Sequence, residues 1–279
     1  FNSVSGLDTQ LGGKISVTKQ VSVQAGRDIA LTGALAGQMN GALNAARDIN
    51  GAGSAAFAQA ATVDATRDIA LTGSLQGASV NVTGGNNAGL GTVQAVSGNL
   101  GVTAKGGAGG GDVTFGGTAT AFGTMALQAA RDANVAGAIN TGGTTTINAA
   151  RSVALASVNS AGDLGVTASG GSASAKDVTT QGNLNVSAAQ GISFTGPTVA
   201  GGNASLNAGG DMTLAGGIGA QQSGTLTAGG SVTAGSIAFA QQATVKAGGS
   251  IAVAGKVATN GDLAMTAGND LSAGSAQAG

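Results

Sequence analysis

The stretch Val23-Gln24-Ala25-Gly26-Arg27-Asp28-Ile29-Ala30-Leu31-Thr32-Gly33 returns further on as Val63-Asp64-Ala65-Thr66-Arg67-Asp68-Ile69-Ala70-Leu71-Thr72-Gly73. Midway between them stands Leu43-Asn44-Ala45-Ala46-Arg47-Asp48-Ile49, so the Asp recurs at 28, 48 and 68, every 20 residues. A fixed period of this length marks a repeat architecture, in which each unit is one supersecondary module. Inside the unit, Val-x-Ala and Ile-x-Leu alternate apolar with small or polar residues, the signature of short strands with one buried face. The Arg-Asp pair between them reads as a corner. A third strand falls in the more variable remainder, for example over residues 218–222. Twenty residues then make one triangular coil whose strands pair in parallel with their equivalents in the next coil. No coil buries its apolar face alone; stacking puts Val on Val, Ile on Ile and Leu on Leu.

The phrase continues down the chain. Leu127-Gln128-Ala129-Ala130-Arg131-Asp132 is followed by Ile147-Asn148-Ala149-Ala150-Arg151-Ser152, and a Gly-Gly form appears in Leu206-Asn207-Ala208-Gly209-Gly210-Asp211-Met212 and its successors. Corner positions fall at 28, 48, 68, about 89, 112, 132, 152, 177, 191, 211, 231, 250 and 270. Two stretches break step, and residues 105–111 and 169–176 read as small loops inserted at a corner, both after the phrase Leu-Gly-Val-Thr-Ala. The expected fold is all-β: a right-handed parallel β-helix (β-solenoid) of about 13 coils of 19–20 residues, running through 1–279 as a single shaft segment of a longer array. A left-handed β-helix favours hexapeptide units and a shorter coil, which this spacing does not match.

Composition supports an elongated fold. The 279 residues include 53 Gly, one Pro and no Cys, His, Trp or Tyr, and all 12 acidic residues are Asp. A helical chain would use Glu, Lys and Leu heavily; Val, Ile, Thr, Asn and Gly suit strands joined by tight turns. Disorder requires low hydrophobicity, whereas 42% of this chain is hydrophobic and its net charge is −1. Without Cys there is neither a disulfide framework nor a thiolate metal site. No apolar run approaches the length of a membrane span.

The phrase Ala-Gly-x-Asp-Ile-x-Leu-x-Gly at residues 25–33 resembles the haemagglutinin repeat of filamentous haemagglutinin-type exoproteins, the family of two-partner secretion and contact-dependent inhibition, and the resemblance extends over residues 21–278. It implies a secreted protein at the Gram-negative cell surface, exported through an outer-membrane β-barrel transporter. The implied role is a long adhesin shaft acting in host-cell or cell–cell attachment through surface receptors or glycans. It implies a monomeric rod, no enzyme activity, no cofactor, no nucleic acid and no membrane insertion. The order Gly26-Arg27-Asp28 is not Arg-Gly-Asp, so integrin recognition does not follow.

Binding and catalytic constellations are sparse. Arg27, Arg47, Arg67, Arg131 and Arg151 share one repeat position. Stacked, their guanidiniums would form a column able to grip sulfate or carboxylate groups of an anionic, heparin-like glycan. The plainer expectation is that the adjacent Asp caps the corner through its own backbone and the Arg is solvated. Polysaccharide-degrading β-helices need clustered Asp with Lys or Arg, but here Asp is spread one per coil. With no His, a Ser-His pair is excluded. Residues 106–112 resemble a calcium-binding nonapeptide but depart from it at Ala108 and Thr114 and occur once. Ice binding would need Thr-x-Thr in every coil, which is not present. Three Asn-x-Ser/Thr sequons occur, at Asn81, Asn185 and Asn203.

Overall fold

The computed structural model describes residues 1–279, the side chain of Ala108 excepted. Strands account for every regular element but one, a 3₁₀ turn over Gly107–Gly109. The chain forms two compact units, Phe1–Gly143 and Thr144–Gly279. Each is a parallel β-solenoid.

In the N-terminal unit the first face of the coil is a run of parallel strands: Asn2–Ser5, Val21–Ala25, Gly41–Ala45, Ala61–Ala65, Val80–Gly84, Leu100–Ala104 and Met125–Ala129. Each five-residue strand points its first, third and fifth side chains inward, as in Val21, Val23 and Ala25, which are all buried. A corner follows, then short strands such as Ile29–Leu31 and Ala34–Gly37 on the second and third faces. In some coils these two merge, as in Ile69–Gly77. The C-terminal unit repeats the plan with Thr145–Ala149, Leu164–Ala168, Leu184–Ala188, Ala204–Ala208, Gly224–Ala228, Ala243–Ala247 and Leu263–Ala267 on its first face.

The interior is a set of columns. Ile49 pairs with Ile29 on one side and Ile69 on the other, and all three are at most 1% exposed. Ile192, Met212, Val232 and Ile251 form the equivalent column in the second unit. Leu271 continues it by pairing with Ile251, but half its surface is open, because no further coil covers it here. Two columns accommodate aromatic rings by pairing them with glycine. A Cβ on Gly41 would lie 2.2 Å from the Phe57 ring, and one on Gly224 would lie 2.0 Å from that of Phe239. Both rings are buried.

Seven coils in each unit make fourteen, within one of the expected count of about 13. The extra coil is the first, where Thr9–Leu11 pairs with Ile29–Leu31 and Asp8 holds the corner position without a preceding Arg. The inserted loop expected at 169–176 is corrected. Residues 173–180 form the strand Ala173–Thr180, with Ala173 paired to Val153 and Ile192 in unbroken register. The true corner residue is Ser172. Asp177 lies on the third face, beside Val178, which pairs with Val158 and Thr198. The inward residues here are the small Ala173 and Ala175, which hid the strand. Likewise the corner placed near 89 is Asn87. Residues 105–112 differ: Leu100 pairs with Met125, 25 positions on, where most coils repeat in 19 or 20. Strand Leu100–Ala104 ends, the 3₁₀ turn follows, and Val113–Phe115 resumes the second face. The extra length sits at the first corner, where it disturbs no inward side chain.

Two interior hydroxyls, those of Thr9 and Thr198, have no hydrogen-bond partner, and the second is the more deeply buried. Thr198 lies between Val178 and Ile218 in the third-face column and is 1% exposed. A desolvated, unpaired hydroxyl costs about 1–3 kcal/mol, and an isosteric methyl removes that cost. Thr198→Val is therefore expected to raise stability by about 1 kcal/mol. Urea unfolding would show this as a higher midpoint at unchanged slope; a lower midpoint would mean that the hydroxyl is satisfied.

Candidate functional site

Charge in the N-terminal unit concentrates at the corner between the first and second faces, where the chain leaves one strand and must turn before the next. Here Arg27, Arg47 and Arg67 stack in consecutive coils, with Arg131 in the unit's last coil. Each guanidinium reaches back to the Asp of the preceding coil. Arg27 donates from Nε to Asp8 Oδ1 at 3.0 Å and from Nη2 to Oδ2 at 2.6 Å. Arg47 makes the same fork on Asp28, with Nε–Oδ1 at 2.9 Å, and Arg131 on Asp112, with Nε–Oδ1 at 2.7 Å. Arg67 approaches Asp48 less closely, its Nε standing 3.4 Å from Oδ1. Arg47 and Arg131 also lie 3.7 and 3.9 Å from the Asp of their own coil. Arg131 additionally donates from Nη1 to the carbonyl of Gly109, pinning the inserted loop.

The carboxylates have a second task. Asp28 N–H donates to Asp8 Oδ1, Asp48 N–H to Asp28 Oδ1, Asp68 N–H to Asp48 Oδ1, and Asn87 N–H to Asp68 Oδ1, at 3.1–3.2 Å. Asn87 Oδ1 in turn accepts from the backbone of Gly111 and Asp112. The corner residue thus caps the next coil's backbone rather than its own, which differs from the simple expectation for Asp in a turn. The Arg is paired rather than merely solvated. Charge-assisted bidentate pairing of this kind favours both ionised forms. Hydrogen bonding from Arg27 holds the Asp8 carboxyl below the usual carboxylate value, and Arg47 does the same to Asp28. The paired carboxylates raise Arg27, Arg47 and Arg131.

These shifts fix a direction for the effect of acid. Asp8 and Asp28 titrate lower folded than unfolded. Their contribution is complete above the unfolded value and is lost as pH falls through the lower, folded values. Urea midpoints followed downward from about pH 6 should therefore fall at acid pH, and fall less in an Asp8→Asn/Asp28→Asn variant. Equal slopes for the two proteins would show that the forks are not maintained in solution.

In the C-terminal unit the same corner is built mainly from hydroxyls. Ser172 N–H donates to Ser152 Oγ, Gly191 N–H to Ser172 Oγ, Ser250 N–H to Ser231 Oγ and Asp270 N–H to Ser250 Oγ, while Asp211 receives Ser231. Arg151 stands at the first corner of this unit with its side chain exposed. Sequence reasoning missed a second ladder at the corner before the first face. Asn183 donates its N–H to Asp163 Oδ1, Asn203 to Asn183 Oδ1 and Ser223 to Asn203 Oδ1. Its signal was legible as Asp or Asn before each first-face strand at 163, 183 and 203. The sequon residue Asn203 is thereby a structural cap, while Asn81 and Asn185 point outward.

Among the described residues no group of three or more Asp could hold a metal ion, and no helix is long and apolar enough to cross a membrane. Shallow depressions mark the outer faces. One of about 530 Å³ is lined by Thr72, Thr92, Thr114 and Gly116 among others, and no charged side chain contributes to it.

Comparison with known proteins adds one match. Residues 161–218 fit a family model described as repeats of unknown function (DUF5649). The matched segment covers the register in which Leu164, Leu184 and Ala204 stack. No curated protein and no solved structure matches the chain.

Proposed function

We propose that this chain is a shaft segment of a secreted bacterial surface adhesin of the filamentous haemagglutinin type, serving to project or contribute to attachment rather than to catalyse. The observation that carries this reading is uniformity. Within each unit, coil after coil presents the same first-face strand, the same corner and the same inward columns, and side-chain ladders reinforce the strand pairing at most first corners. Such construction suits a spacer whose length is its property. The depressions on its faces offer shape without acid–base groups. The charged corner offers Arg and Asp already joined to each other.

Surface display is the test. Antibody raised against the chain should label intact cells of the producing bacterium, and the label should vanish when the outer-membrane β-barrel partner is deleted. Label appearing only after permeabilisation would overturn the proposal.

A further inference from the structure

The Arg corner of the N-terminal unit holds binding capacity that its own carboxylates occupy. Arg27, Arg47 and Arg67 stand in three consecutive coils, so their guanidiniums follow one another at about 4.8 Å per coil. Their side chains are 49%, 42% and 54% exposed. Two of the three already have the geometry of an oxyanion clamp, since Arg27 and Arg47 each grip two carboxylate oxygens with Nε and Nη2, while Arg67 stands 3.4 Å from Asp48. A sulfate group presents the same pair of acceptor oxygens to that fork.

We propose that this corner is a latent binding edge for a linear polysulfate, masked by Asp8, Asp28 and Asp48 and exposed when those carboxylates are neutralised. The charged groups facing them are few. Asp8 meets Arg27, Asp28 meets Arg47 with Arg27 behind it, and Asp48 lies between Arg47 and Arg67. Among the described residues no other salt bridge reaches these three Asp. Neutralisation frees the forks without dismantling the corner. The structure demonstrates this at Asn87, where an uncharged amide oxygen accepts the backbone N–H groups of the next coil at 3.0 Å. An Asp→Asn change at the other rungs therefore keeps the backbone cap and removes only the competitor for Arg.

The test compares two triple variants of equal net charge on immobilised dextran sulfate. Asp8→Asn/Asp28→Asn/Asp48→Asn unmasks the corner. Asp64→Asn/Asp262→Asn/Asp270→Asn neutralises three exposed carboxylates that pair with no Arg. At about pH 7 the corner variant should bind on the order of tenfold more tightly than the wild type, whereas the control should not. Adding Arg27→Gln/Arg47→Gln/Arg67→Gln to the corner variant should abolish the gain. Equal binding by both triple variants, or by neither, overturns the proposal. Should the corner variant fail to fold, unmodified protein taken down to about pH 2 serves instead, because carboxylates held below the usual range by Arg need stronger acid to be neutralised, while sulfate esters stay ionised. Retention should then appear in the wild type and be lost in Arg27→Gln/Arg47→Gln/Arg67→Gln; equal retention of the two would sink the idea.

Discussion

Ile69→Asp is expected to unfold the N-terminal unit. Ile69 is 1% exposed and packs in its column between Ile49 and Ala88. The polar member of that column, Thr9, lies three coils away, the immediate neighbours are apolar, and the backbone groups around Ile69 are engaged in the parallel ladder. A carboxylate there would be stripped of water with no partner. In practice it would take up a proton, leaving a neutral but still unsatisfied acid and losing the packing of the isoleucine. Both terms point the same way, and together they amount to several kcal/mol, a large part of what holds an ordinary domain folded. Loss of the strand signal in circular dichroism, or a urea midpoint displaced far below wild type, is the expected result. Partial recovery at acid pH is expected too, since the protonated form is the less costly one. A variant with an unchanged midpoint would show that residue 69 faces outward and that the register described here is wrong.

The second large effect concerns a residue with no side chain. A valine at position 224 places its Cβ 2.0 Å from Cε2 of Phe239 and 2.2 Å from Cδ2 and Cζ. Phe239 is 2% exposed, so displacing the ring means repacking the interior around it. Overpacking a filled core costs roughly 1–3 kcal/mol and more where nothing yields; Gly224→Val is expected at or above the upper end. The decisive comparison is with Phe239→Ala, which alone opens a cavity costing about 3–5 kcal/mol. If ring and glycine are complementary, the double variant should be more stable than the sum of the two losses predicts, by a coupling of about 1–3 kcal/mol. Strict additivity would mean that the two positions do not meet. Gly41 and Phe57 repeat the arrangement in the other unit and provide an independent copy of the experiment.

The fold was legible in the sequence wherever the inward residues were large. Ile29, Ile49 and Ile69, at 20-residue intervals with Leu two places on in the first and third, leave no freedom in register. It became illegible where the interior narrows. Ala173 and Ala175 fill an inward position as fully as Val153 and Leu155 do in the preceding coil, yet flanked by Gly and Ser they look like a loop. Asp177-Val178-Thr179 then passed for the corner because it copies Asp112-Val113-Thr114, although its valine belongs to a different face. The Arg-Asp positions could be found from periodicity alone. Their chemistry could not, because the bond that matters joins Arg to an Asp 19 positions earlier. Adjacency in sequence suggested an Asp capping its own turn beside a solvated Arg; the ladder pairs each with the neighbouring coil.

At the first corner, most coils take the same thing from their predecessor: a side-chain oxygen lone pair at the right height. Asp28, Asn87 and Ser172 meet that demand equally with three different side chains. The joint is therefore generic, like the coupling between identical railway wagons. A gene encoding such joints can lose or gain a whole period by slippage during copying, and the shortened or lengthened product still closes every seam. Inheritance can then adjust the reach of the molecule in steps of about one coil, roughly 4.8 Å, while most single-letter changes on its outer faces pass unnoticed.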